Sequence, residues 1–302
     1  MSANLKIEIL KMSKESKGMI LGFLGVFAFG LTLPATRFIV PYFEPIFIGL
    51  GRAVVASVVA AFILITTKQK IPNRQQLIQL SVVALGVVIG FPVLTAWAMT
   101  TVPASHGGVV LGVLPLATAV AAVMVSREKP SAGFWIFSLL GSIIVVTYSF
   151  LQGFGSFQLG DLFLIGAILS AGLGYALGGK LSKELGGWQV ICWALVISFP
   201  FIIYPAWSQA PEDNFKTLPP NVLLSFLYLA LVSQLFGFFL WNKGLALGGI
   251  ARVSQTQLTQ PFITLFASAF LIDEIVSLQT ILFAVLVVSI VAIGKKMPIH
   301  ER

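Results

Sequence analysis

Residues 113–131 read VLPLATAVAAVMVSREKPS, and residues 258–279 read LTQPFITLFASAFLIDEIVSLQ. Each is an apolar run carrying one early proline, Pro115 or Pro261, and each reaches a glutamate thirteen residues further on, Glu128 or Glu274. A tryptophan precedes each proline in the neighbouring apolar segment, Trp97 in the first case and Trp241 in the second. Gly30 and Gly172 form a weaker match nearer the start of each copy. The chain therefore reads as one unit written twice.

Composition says where such a unit lives. Of 302 residues 57% are apolar and 10% charged, against about half and about a quarter in an ordinary soluble domain. A water-soluble globule is excluded. A hydrocarbon core of about 30 Å takes about 20 helical residues to cross. Ten apolar segments meet that length: 18–40, 46–66, 77–98, 103–125, 132–151, 160–181, 187–206, 221–242, 249–272 and 276–294. They are apolar throughout, not alternating over about ten positions as barrel strands do, so they are read as helices. Lys6, Lys11, Lys14 and Lys17 before the first resemble the basic flank of a leader, but no small-residue cleavage pattern follows and the segment is kept as helix one. The fold class expected is an all-α polytopic membrane protein of ten transmembrane helices.

The net charge of +8 would suit nucleic acid if a soluble domain existed to display it. Here the basic residues fall between apolar segments and are read as topology signals, so no nucleic-acid partner is expected. With an interior N-terminus, sixteen of the nineteen lie inside: the four N-terminal lysines with Lys68, Lys70, Arg74, Arg127, Lys129, Lys180, Lys183, Lys243, Arg252, Lys295, Lys296 and Arg302. Arg37, Arg52 and Lys216 are left in the outer half or outside. Both termini are then cytoplasmic and the span count is even. Five helices per copy is an odd number, so the second copy crosses upside down. Residues 1–17 form a cytoplasmic segment, 18–151 the first copy, 160–295 the second and inverted copy, and 296–302 a cytoplasmic tail. Two similar halves in opposite orientation can exchange conformations around a central site, which points to a transporter rather than a pore.

With GFLGVFAFGLTLPATRF at residues 22–38, the two Pro-to-Glu stretches resemble the drug/metabolite transporter superfamily, in its EamA-type ten-helix branch. The resemblance runs over about 18–295. It implies two inverted five-helix repeats around a central cavity in the bacterial inner membrane, and export of amino acids, drugs or other metabolites. The expected cargo is an amino acid or related amphipathic solute moved out of the cytoplasm by alternating access; a multidrug or nucleobase-like cargo is the alternative.

The resemblance also implies that helices one, three, four, six, eight and nine form the cavity. On them lie Thr32, Thr36, Thr95, Trp97, His106, Tyr175, Gln234, Trp241, Asn242 and Gln257. A polar side chain unpaired in hydrocarbon costs several kcal/mol, so these groups should turn inward, to line a cargo site or to hold helices together. Trp97 and Trp241, at matched positions, could sandwich a planar solute or serve as interfacial anchors. His106 could bind cargo or carry a proton, or be a satisfied interfacial residue. Arg37, Glu44 and Arg52 gather at the first outer turn, where Glu44 and Arg52 suggest a gate ion pair, Arg52 a partner for a cargo carboxylate, or both simple anchoring. Gln255, Gln257 and Gln260 before Pro261 argue against a purely hydrophobic pocket. Small-residue pairs such as Gly86–Gly90, Gly174–Gly178 and Gly244–Gly248 predict close helix crossings.

No phosphate-binding loop, HExxH pair or cysteine cluster is present. Cys192 is read as an apolar packing residue. No enzyme, metal site or cofactor is expected, with a proton the one coupling ion considered. The partners expected are a small solute and the lipid bilayer, and the chain is read as working as a monomer.

Overall fold

The structure is a computed structural model that describes residues 13–126, 129–151, 159–211, 218–272, 278–294 and 296–300. Its helical stretches in chain order are α1 (Lys14–Ile39), α2 (Phe47–Thr66), α3 (Arg74–Thr101), α4 (Ala104–Val125), α5 (Ala132–Leu151), α6 (Leu159–Leu185), α7 (Gly187–Ser208), α8 (Pro220–Gly248), α9 (250–272) and α10 (Leu278–Gly294). Among the described residues seven of them, α1 to α4 and α6 to α8, are long and apolar enough to cross a membrane. Apolar side chains are exposed all around the bundle, Phe62, Ile65, Leu169, Phe201 and Phe270 among them, while Thr95, Ser233 and Gln234 are buried. That distribution suits a lipid solvent, and the chain is a multi-pass membrane protein.

Local chemistry fixes the ends. Ser13 caps α1 by accepting from the Ser16 N–H at 3.1 Å, and Asn73 with Gln76 forms a reciprocal capping box at the start of α3. Gly186 and Gly249, with φ of +98° and +84°, turn the chain in one residue between α6 and α7 and between α8 and α9, a conformation that favours glycine. A short antiparallel pairing joins β1 (Lys129–Pro130) to β2 (Ile299–His300). At that end Arg252 donates to the Met297 carbonyl and pairs with Glu15.

The helices are interrupted at matching places. α3 and α8 each contain a π-helical stretch, Ala84–Gly90 and Tyr228–Phe236. α4 and α9 each tighten into a 3₁₀ turn, Leu111–Val113 and Gln255–Thr259, just before Pro115 and Pro261. The cause is the proline. It has no N–H for the carbonyl four residues back, so the residue before it takes over: Leu114 N–H donates to Leu111 and Gln260 N–H to Gln257. In α1, Pro34 likewise cannot serve the Gly30 carbonyl, which accepts instead from Thr264 Oγ1 of α9 at 2.7 Å. Glu128 and Glu274, the other half of the sequence signature, lie outside the described residues.

Glycine sets the closest crossings. A Cβ added to Gly18 of α1 would stand 2.5 Å from the Gly248 nitrogen of α8, and one on Gly244 would stand 2.7 Å from the Gly22 nitrogen. α3 meets α6 in the same way, where a Cβ on Gly86 would reach the Ser170 carbonyl at 2.6 Å. The predicted glycine contacts are thus realised between the two copies, where side chains would keep the backbones apart.

Candidate functional site

Between these crossings lies a buried cluster of aromatic and polar side chains. Phe29 of α1, Tyr175 of α6 and Phe238 and Trp241 of α8 contact one another, with the Tyr175 and Trp241 ring centroids 5.3 Å apart and the Phe29 and Phe238 centroids 4.9 Å apart. Trp241 is completely buried, yet its indole N–H has no acceptor among the described residues. Nearby on α9, Gln257 offers its side-chain oxygen to Thr118 of α4 at 3.5 Å, and its amide nitrogen also lacks a partner. Leaving a buried donor unpaired costs about 1–3 kcal/mol. Each is a buried donor that a solute oxygen would satisfy, and on α9 the side-chain oxygens of Gln255 and Gln260 likewise lack a donor among the described residues.

Toward the Glu44 end the cluster continues as a polar ladder. Thr32 and Ser233 share a hydrogen bond of 2.8 Å between α1 and α8, and Thr36 donates to the Thr32 carbonyl at 2.7 Å. Arg52 of α2 is 2% exposed. Its Nε and Nη2 both donate to Gln234 Oε1, at 3.1 and 2.8 Å, and Gln234 Nε2 donates in turn to the Val87 carbonyl at 3.0 Å. Gln234 and Val87 belong to the two π-helical stretches, so this tie joins the matching irregularities of the two copies. The phenol groups of Tyr175 and Tyr228 flank the guanidinium, and Tyr228 donates to the Ala28 carbonyl at 2.5 Å.

Against Gly51, next to Arg52 in the chain, sits an aromatic plug. Phe47 and Phe226 stack with centroids 5.4 Å apart and planes 8° from parallel, and Phe43 leans on both. Both rings of the stacked pair lie against Gly51, the neighbour of Arg52. Beyond the plug a cleft of about 420 Å³ opens between the α1–α2 turn and the end of α7, lined by Phe43, Glu44, Ser208 and Gln209.

The sequence-derived candidates divide clearly on this geometry. Thr32, Tyr175, Gln234, Trp241, Gln257 and Arg52 come together. Thr36 and Thr95 are buried but are occupied by carbonyls of their own helices. Asn242 donates to the Gly187 carbonyl at 3.2 Å and so joins α8 to the α6–α7 turn. Trp97 is 38% exposed and rests on Phe163 of α6, so it does not face Trp241 across a shared chamber; its matched position puts it on the outside of the bundle. Glu44 is exposed and makes no ion pair with Arg52, because Arg52 turns inward to Gln234. Arg37 donates to the Met99 carbonyl at the end of α3.

His106 has a partner that residue-level reading missed. Its Nε2 lies 2.5 Å from Asp161 Oδ1, with both side chains buried. Asp161 stands in the first turn of α6, where the helix N-terminus favours a carboxylate. Its place inside an apolar helix, one residue after Gly160, was the available signal.

A helical bundle with an apolar exterior, two copies of one pattern and a sequestered polar core is a polytopic membrane protein rather than a soluble binder. The chain belongs to the EamA-like transporter family, whose model matches it twice, over residues 16–150 and 158–293. It is 44% identical over 285 residues to the uncharacterized transporter YdeK of Bacillus subtilis (strain 168), covering 94% of this chain and 99% of that one. It is 23% identical over 278 residues to the uncharacterized transporter YyaM of the same organism, covering 89% of this chain and 90% of the other. A crystal structure of 13% sequence identity superimposes with a TM-score of 0.74 over 94% of this chain and 99% of its own, a likeness of fold.

Proposed function

We propose that this transporter is a ten-span, monomeric inner-membrane exporter that moves an amino acid or similar small amphipathic solute by alternating access between two inverted five-helix halves. On this reading both termini are cytoplasmic, no cofactor is bound, and cargo sits between α1, α4, α6, α8 and α9. The observation that carries the reading is the pair of buried donors without acceptors, Trp241 Nε1 and Gln257 Nε2, beside an aromatic wall. Such a wall with a few donors suits a solute with an apolar body and carbonyl or carboxylate oxygens. The matching π and 3₁₀ interruptions support rocking of the halves, since they soften corresponding helices at corresponding depths. The His106–Asp161 pair is the candidate for proton coupling, as it joins α4 of one copy to α6 of the other.

The test is counterflow in sealed vesicles holding the purified protein, with labelled amino acids, nucleobases and cationic dyes as cargo. Unchanged amino acid accumulating against an unlabelled pool is the expected result. Movement of dyes or nucleobases alone would reassign the cargo, and chemical conversion would refute transport as the activity. Single-cysteine tags at each terminus in a Cys192→Ala background should both react from the cytoplasmic face.

A further inference from the structure

Arg52 presents an unsolved charge. α2, α3, α7 and α8, packed around it, carry no acidic residue, and the two acids of α6, whose Tyr175 lies beside the guanidinium, are engaged elsewhere, Asp161 with His106 and Glu184 with Gln76. Its two hydrogen bonds end on a single neutral oxygen, and Nη1 has no acceptor among the described residues. Buried cations are ordinarily paired with an anion, and a guanidinium is built to take two carboxylate oxygens at once. The amide of Gln234 fills half of that role. Its Oε1 offers one oxygen in roughly the place a carboxylate would occupy, while its Nε2 holds Val87 on α3.

Resting on the amino-acid reading above, we propose that Gln234 is an internal stand-in for the cargo carboxylate. An arriving carboxylate takes Arg52 through Nη1 and Nη2, Gln234 Oε1 is displaced, and the amide lets go of Val87. The released contact is the one joining the two π-helical stretches, so carboxylate binding loosens α3 from α8 and permits the halves to move. The plug of Phe43, Phe47 and Phe226 packs on Gly51, the neighbour of Arg52, and would open as α2 and α8 shift. Two consequences separate this from a structural role for Arg52. A solute lacking the carboxylate fits the aromatic wall without releasing the tie, and a permanent carboxylate at position 234 blocks its release.

The experiment uses L-phenylalanine, L-leucine and L-threonine, each beside its own carboxamide, with the full-length protein in vesicles and in detergent. In wild type the acids are expected to exchange and to raise the melting temperature, and the carboxamides to exchange about tenfold more slowly or worse, the ratio of one charge-assisted contact. Gln234→Glu should melt higher than wild type without solute, lose the shift caused by the acids, and exchange about tenfold more slowly or worse, since Arg52 is then satisfied internally. Gln234→Leu, which keeps the bulk and removes the competitor, should melt lower and retain or enlarge the shift caused by the acids. It also keeps the test decisive if Gln234→Glu does not fold. Wild-type exchange and shifts in Gln234→Glu, loss of acid binding in Gln234→Leu, or equal exchange of acids and carboxamides would each overturn the proposal. If wild type neither binds nor exchanges any of the acids, the amino-acid reading itself fails.

Discussion

Replacing Thr264 by Val tests whether the proline in α1 makes the α1–α9 contact necessary. Valine keeps the shape of threonine at a site with no exposed surface, so the change deletes one hydroxyl and little else. That hydroxyl donates at 2.7 Å to the Gly30 carbonyl, which Pro34 leaves without its helical N–H. An orphaned buried carbonyl costs about 1–3 kcal/mol in water-soluble proteins, while interhelical hydrogen bonds in membranes run nearer 0.6 kcal/mol with a ceiling of about 1.7. The expected loss for Thr264→Val is therefore about 1–1.5 kcal/mol. In a Pro34→Ala background the alanine N–H can reach Gly30, the hydroxyl becomes redundant, and the same substitution should cost less than about 0.5 kcal/mol. Equilibrium unfolding of all four proteins by SDS titration in mixed micelles gives the coupling energy directly. Equal costs of Thr264→Val in both backgrounds would show that the hydroxyl does something other than serve that carbonyl.

Gly18→Val should push α1 off α8, because the new Cβ lands on backbone that cannot rotate away; overpacking of about 1–3 kcal/mol or more is expected, visible as a lower midpoint in the same titration. Trp241→Phe removes only the indole N–H and part of the ring, so affinity for transported amino acid should fall about two- to tenfold, whereas Trp97→Ala, on the outside, should leave the dissociation constant unchanged; a reversal of that order in equilibrium binding would move the cargo site. Both His106→Gln and Asp161→Asn should flatten the pH dependence of exchange while leaving protein in the membrane if their pair carries the coupled proton, and an intact pH profile in either active variant removes them from coupling.

Much of the architecture is legible in the sequence because the lipid environment writes it in blunt terms. Long apolar runs, charges confined between them, and a repeated proline are all one-dimensional signals. Crossings were legible too, since Gly244 and Gly248 announce that backbone must approach backbone. The site was less so. Trp97 and Trp241 stand at matched sequence positions, and the α3–α6 and α8–α1 crossings are alike, yet only Trp241 is buried while Trp97 keeps 38% of its surface exposed. Arg52 lies near Glu44 in the chain, and a gate pair with it is one of the readings that proximity suggests, but its helical phase turns it toward Gln234, 182 residues away. Asp161 stands in the first turn of α6, and its partner His106 lies 55 residues earlier, a pairing that only the packing of α4 on α6 creates. Sequence distance carries the spans, and three-dimensional phase decides the partners.

The glycine seams between α1 and α8 and between α3 and α6 bear on how this architecture tolerates divergence. A junction made of main chain against main chain asks almost nothing of the side chains elsewhere along either helix. Side chains away from the glycines can then change while the two helices keep the same crossing. Descendants of one ancestral bundle would keep the same frame while their letters drift nearly to randomness.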